Sequence, residues 1–198
     1  MKNDTKQTRR RSQKSYDAII KATLQQLEVK GYVKLSIEGI AAQAGVGKQT
    51  IYRWWSSKAA LVIEAYSEEV SGRYTPPETG SVQGDLEQFL VTVFTNISQP
   101  PSSYVMTGLI AEAQTNPEIG EKFFNGFILG RRQVLKEILQ GGVDRGEIQP
   151  DVELSIITDM FFGPMWYRLL IGHAALDKEF AQTLIRNVLS GISIKQKS

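Results

Sequence analysis

Apolar residues return every three or four positions along most of this chain, and that spacing predicts helices. Tyr16, Ile19, Ile20, Thr23, Leu24 and Leu27 make the first stripe, with Gly31 placed to stop it. Residues 1–11 are polar and lack the periodicity, so they read as a flexible basic arm. A second, short helix buries Ile37, Ile40, Ala41 and Ala44. Ser36 is its N-cap and Glu38 lies in its first turn, where the helix dipole favours an anion. Gly45 supplies a tight turn within Ala44-Gly45-Val46. Gly47 then caps a third helix, and Ser57 caps a fourth carrying Leu61, Val62, Ala65, Tyr66 and Val70.

Residues 73–84 contain Pro76-Pro77 and Gly80-Ser81 and read as a linker between two domains, 12–72 and 85–198. Five more helices follow. The first, Asp85 to Ile97, is stopped by Pro100-Pro101, and the second runs from Tyr104 to Gln114. A long helix from Glu118 to Leu139 should end at Gly141-Gly142. Val152 to Ala174 is apolar on nearly every side, with Gly163-Pro164 placed to bend it. Lys178 to Ile194 carries a single stripe. A helix apolar all round must be covered all round. Pairing the last two helices with their copies in a second chain makes a four-helix bundle. Phe161, Met165, Phe180, Leu184, Val188 and Ile192 are the candidate interface residues. No segment alternates like a strand, so the class is all-α: a three-helix N-terminal domain and a larger helical C-terminal domain.

Charge sharpens the division. Residues 1–60 hold twelve lysines and arginines against four acidic residues, and the remainder eleven against seventeen. Local charges of +8 and −6 thus hide within a net +2. A cationic first third suggests a polyanionic partner for that part alone. The chain has no cysteine and one histidine, His173, so neither a thiolate site nor an imidazole-based metal site is expected, and no cofactor is implied. No apolar run approaches the roughly 20 residues that span a bilayer. Arg9-Arg10-Arg11 is followed by Ser12-Gln13-Lys14-Ser15 rather than an apolar core, which argues against a signal peptide and for a cytoplasmic protein.

Two short helices at a steep angle, the second basic and polar outside, have the geometry that enters a DNA major groove; the motif spans about residues 35–54. Lys48 and Gln49 begin the second helix, where side chains reach base edges first. Gln pairs with adenine and Lys with guanine. Thr50 can meet a thymine methyl or a phosphate. Tyr52, Arg53 and Trp54 sit toward the DNA edge, with Trp55 buried. Lys58, in the first turn of the fourth helix, can bind phosphate beside the helix amides, and Ser36 and Gly47 offer further contacts. Arg9, Arg10 and Arg11 can enter a minor groove. Tyr52 as a core residue, and the arginines as a solubilising tail, remain open alternatives.

The residues Ile19-Ile20-x-Ala22, Gly31-Tyr32, Ser36-Ile37, Ile40-Ala41-x-x-Ala44-Gly45-Val46, Thr50-Ile51-Tyr52, Trp55 and Ser57-Lys58-x-x-Leu61 together resemble the TetR family of transcriptional regulators. The resemblance covers about residues 12–72. Gly47 stands where that family commonly has Ser, leaving only a backbone N–H there. The resemblance implies an all-α homodimer, a helix-turn-helix head, and a C-terminal domain that binds an effector and dimerises. It also implies repression at a palindromic site, relieved by a small molecule. Phe94, Tyr104, Phe123, Phe127, Phe162 and Trp166 are candidates to line the effector pocket, and aromatic lining would suit a hydrophobic or aromatic ligand. Aromatic residues at helical spacing are more often plain core, and that reading stays open for all six. Glu112 and Arg131 are candidate polar anchors. The alternative to an effector-responsive repressor is a DNA binder controlled by a partner or by nothing. An enzyme is disfavoured: Leu170 occupies the position where a Glu-x-x-His motif ending at His173 would need Glu, and no nucleophile motif occurs.

Overall fold

The computed structural model describes the backbone of residues 2–70 and 75–193 and the side chains of residues 13–67 and 75–193. Among these, ten α-helices and a π-helical turn occur and no strand; Ile148 and Ser193 form an isolated antiparallel bridge. Two compact units emerge, and neither is a single stretch of chain. The first joins residues 1–71 to 104–126, and the second joins 72–103 to 127–198.

In the first unit, α1 (Lys2–Lys34), α2 (Ile37–Ala44), α3 (Lys48–Tyr52) and α4 (Lys58–Val70) make the N-terminal bundle. Helical backbone already begins at Lys2, ahead of the apolar stripe. Gly31 breaks α1, as its sequence position suggested, at φ 68° and ψ 175°, a conformation that lacks a Cβ penalty only in glycine. Ile19, Leu27, Ile40, Ile51 and Leu61 are the fully buried centre. Two later helices belong to the same unit, α6 (Ser102–Ala113) from its Tyr104 onward and α7 (Pro117–Phe123). They are joined by close contacts. Tyr32 lies against Gly108, where an added Cβ would sit 2.2 Å from the ring, and its hydroxyl donates to Glu112 at 2.5 Å.

The second unit packs α5 (Val82–Ser98), α8 (Leu129–Asp144), α9 (Leu154–Ile171) and α10 (Lys178–Ile192). Phe94, Leu86, Leu90, Phe161 and Ile185 are fully buried in it. The long helix foreseen from Glu118 is real but composite. A π-helical turn, Phe124–Ile128, separates α7 from α8. Gly141-Gly142 does not end it either, because α8 continues to Asp144. Gly142 is buried instead, and a Cβ there would come within 2.9 Å of both Ile148 and Val82. Its glycine serves close packing, not termination. A polar knot secures the start of α5. The buried Asp85 carboxylate accepts the Thr79 N–H at 2.7 Å, the Thr79 hydroxyl at 2.8 Å and an Arg145 N–H at 3.3 Å. Glu147 accepts the Val82 N–H at 2.8 Å and Arg145 Nε–H at 2.5 Å.

Helix α9 departs from expectation in which side it hides. Phe161 and Met165, proposed as interface residues, are buried within the protomer, as are Val188 and Ile192 on α10. Their side chains are spent on the protomer's own core. Phe180 and Leu184 are half-buried. The exposed face of α9 instead carries Ile156, Met160, Tyr167, Leu170 and Ile171. With both sides apolar, the sequence held no signal for which one turned inward.

Candidate nucleic-acid interface

The helix pair α2–α3 is set by local chemistry. Ser36 Oγ accepts the Gly39 N–H at 3.1 Å, closing the start of α2. Gly45 adopts the left-handed conformation at φ 67°, ψ 34°, and its N–H turns back to the carbonyls of Ala41 and Ala42. The chain then re-enters helix at Lys48 after Gly47, which is extended and gives no side-chain cap. Ile51 anchors α3 in the core.

With Ile51 turned inward, the rest of α3 faces solvent. Lys48, Gln49, Tyr52 and Arg53 are exposed, Gly47 and Ser36 with them, and Thr50 is half-buried. Tyr52 is 53 % exposed, which removes the core alternative for it. Trp55 is buried and Trp54 half-buried, as two adjacent indoles must divide. Trp54, Trp55 and Tyr16 pack ring on ring, with centroids 5.4–5.6 Å apart. Beneath them Glu64 on α4 accepts the Tyr16 hydroxyl at 2.5 Å and Trp55 Nε1–H at 2.9 Å. This cluster ties α1, the end of α3 and α4 together. Above it the Arg53 guanidinium lies 5.3 Å from the Trp54 ring centroid.

Two lysines behave differently. Lys58 does not project freely. Its ammonium sits 4.3 Å from the Tyr32 ring centroid and donates to the Tyr32 carbonyl at 3.3 Å. Lys48 is paired with Glu38 across the turn, Nζ to Oε1 at 3.0 Å. That hydrogen bond holds the Glu38 carboxyl below its ordinary range and raises Lys48 in turn. In the sequence Glu38 carries only a helix-dipole signal, and nothing there singles out Glu64 or the Tyr16 hydroxyl. Nothing in spacing marks partners that lie ten or forty-eight residues away. Arg9, Arg10 and Arg11 fall outside the residues whose side chains are described.

The six aromatic pocket candidates do not share one unit. Phe94, Phe127 and Phe162 are buried in the second unit and Trp166 is half-buried there, whereas Tyr104 and Phe123 belong to the first. Tyr104 is 56 % exposed, covering Gly31, so it serves as a lid on the α1 break rather than a pocket wall. Phe94 stacks on Phe180 at 5.6 Å. Glu112 is engaged by Tyr32, and Arg131 donates to the Phe127 carbonyl. Among the described residues, no cluster of three His, Cys, Asp or Glu side chains is placed to hold a metal, and no helix is long and apolar enough to cross a membrane.

A capped helix pair with a solvent-facing polar probe, on a head of net positive charge, defines a helix-turn-helix DNA-binding protein. Residues 19–65 match the family "Bacterial regulatory proteins, tetR family", and residues 76–188 match "Tetracyclin repressor-like, C-terminal domain". The uncharacterized HTH-type transcriptional regulator YdeS of Bacillus subtilis (strain 168) is 30 % identical over 191 residues, covering 95 % of this chain and 94 % of the relative. The crystal structure of the TetR-family transcription regulator SCO0332 superposes with a TM-score of 0.73 at 31 % identity, over 89 % of this chain and 97 % of that one. The structure of FadR from Bacillus subtilis in complex with stearoyl-CoA shares the fold, with a TM-score of 0.70 at 22 % identity, over 89 % and 99 %. The chain therefore belongs to the TetR family and is a DNA-binding transcriptional regulator.

Proposed function

We propose that this regulator is a repressor that binds a palindromic operator as a homodimer and releases it on binding a small hydrophobic molecule. The observation that carries the reading is α3: a short helix anchored by Ile51, with Lys48, Gln49, Tyr52 and Arg53 all turned to solvent. Lys48, Gln49 and Thr50 read base edges, Tyr52, Arg53, Ser36 and Gly47 meet the backbone, and the arginines at 9–11 enter the minor groove. Trp54 steadies Arg53. Lys58 contributes charge from a fixed seat on Tyr32 rather than as a mobile phosphate clamp. The exposed apolar face of α9 (Ile156, Met160, Tyr167, Leu170) supports pairing of two protomers, because single apolar residues are ordinary on a surface but a row along one helix is not. Two heads on a two-fold axis then require half-sites about one DNA turn apart or slightly more. Buried aromatics in the second unit suit an apolar effector, and the relative bound to stearoyl-CoA places acyl-CoA thioesters in the panel to try.

The test is selection of bound duplexes from a random DNA library, repeated with hydrophobic and aromatic compounds and acyl-CoAs. A recovered inverted repeat supports the dimeric reader, and its disappearance with one compound class identifies the effector. Recovery of no motif sinks the reading. A motif that no compound releases favours control by a partner protein.

A further inference from the structure

We propose that Glu38 and Lys48 act as one paired reader of a G·C base pair, with Glu38 a specificity-determining residue of the DNA surface. The inference rests on the placement of α3 in the major groove. Two facts set the problem. The ammonium and carboxylate lie 3.0 Å apart at the turn between α2 and α3, and their side chains are 53 % and 65 % exposed. An ion pair so exposed contributes little to folding. A carboxylate also faces a polyanion at a cost, on a head otherwise rich in cations.

The edge of a G·C pair accounts for both. In the major groove guanine presents N7 and O6 as acceptors, and cytosine N4 is the adjacent donor. O6 and N4 are joined by their own hydrogen bond, about 2.9 Å long. The Nζ–Oε1 separation of 3.0 Å matches that spacing, donor over acceptor and acceptor over donor. Lys48 keeps two further N–H groups, enough to reach O6 and N7 together. An A·T pair also sets a donor beside an acceptor, but it puts the thymine methyl where the ammonium wants its second acceptor. Phosphate oxygens offer acceptors only. They attract Lys48 and repel Glu38, so the pair favours base edge over backbone. Lys48 alone would grip any phosphate.

The experiment compares wild type, Glu38→Gln, Lys48→Met and the double variant by random-duplex selection, and by titration of the selected operator and a scrambled duplex across salt. Circular dichroism checks that α2 survives loss of its first-turn charge. Wild type should yield a motif with a G·C pair in each half-site, and both single variants should lose preference at that same pair. Glu38→Gln should bind scrambled DNA more tightly, with a log–log salt slope steeper by about 0.9. Its operator-to-scrambled ratio should fall roughly tenfold, the cost of one mismatched contact. The double variant should discriminate no worse than Lys48→Met alone. Loss of preference at different positions, additive losses, or an unchanged ratio in Glu38→Gln would each overturn the pairing. A wild type that selects no motif would remove the groove placement itself, a failure distinct from these.

Discussion

Tyr32 shows how much a single side chain can organise. Its hydroxyl donates to Glu112, its ring carries the Lys58 ammonium, and its edge fills the space left by Gly108. Burial first, and then the hydrogen bond to a carboxylate, push its ionisation well above the ordinary tyrosine range. A raised folded-state pKa means that the contribution is complete below the unfolded value, roughly 10, and is lost as pH climbs beyond it. Tyr32→Phe should therefore cost about 1 kcal/mol at pH 7. The gap to wild type in urea midpoint should narrow above pH 10; a constant gap would contradict the assignment. Gly108→Ala places its Cβ against the Tyr32 ring and should cost about 1–3 kcal/mol, whereas Gly130→Ala, in open space on α8, should gain roughly 0.5–1 kcal/mol. Thermal melts of the two variants check the opposite signs. The caps at Ser36, the left-handed Gly45 and the burial of Trp55 were all legible in the sequence, because each obeys a rule spanning a few residues. Tyr32–Glu112 and Glu38–Lys48 were not, since only the folded chain brings those partners together.

Between residue and whole, helices succeed or fail by what closes their ends and what their faces meet. The start of α5 is closed by Ser81, whose hydroxyl accepts the Gly84 N–H, and by Glu147, which accepts the Val82 N–H, while the buried Asp85 ties Thr79 back onto it. Asp85→Ala should cost about 2 kcal/mol, by removing a buried carboxylate that accepts two hydrogen bonds from Thr79 and one from Arg145. Arg145→Ala should cost less, because that guanidinium is 40 % exposed and screened by water. Urea denaturation of the pair gives the order, and a reversed order would refute the argument. Helix positions were predicted well from periodicity: α5, α6, α9 and α10 each begin and end within a few residues of expectation. The misplaced end of α8 has a clear cause. Glycine was read as punctuation, yet Gly142 lies inside α8, where bulk is excluded by Val82 and Ile148. The π-helical turn before α8 has no periodicity signal at all.

For the whole molecule, the candidate interface residues Phe161 and Met165 lie on the side of α9 that the protomer buries. Its mean apolarity is high and its faces are alike, so the pattern could say that both sides were covered but not by what. The exposed side now specifies the experiment. Met160→Glu, at 45 % exposure, should leave circular dichroism unchanged while halving the mass in sedimentation equilibrium and abolishing tight operator binding. Phe161→Glu, one residue away and fully buried, should instead unfold the chain. A dimeric Met160→Glu protein would move the contact elsewhere.

The first unit takes its last helices from far along the chain, Tyr104 to Gly126, after α5 has intervened. During synthesis, residues 1–71 must therefore wait for more than thirty others before Gly108 and Glu112 arrive to seat Tyr32. A fragment cut at the apparent border would leave the ribosome with that tyrosine uncovered. An excised head would lack the Glu112 and Gly108 contacts of Tyr32, so footprinting calls for the full chain.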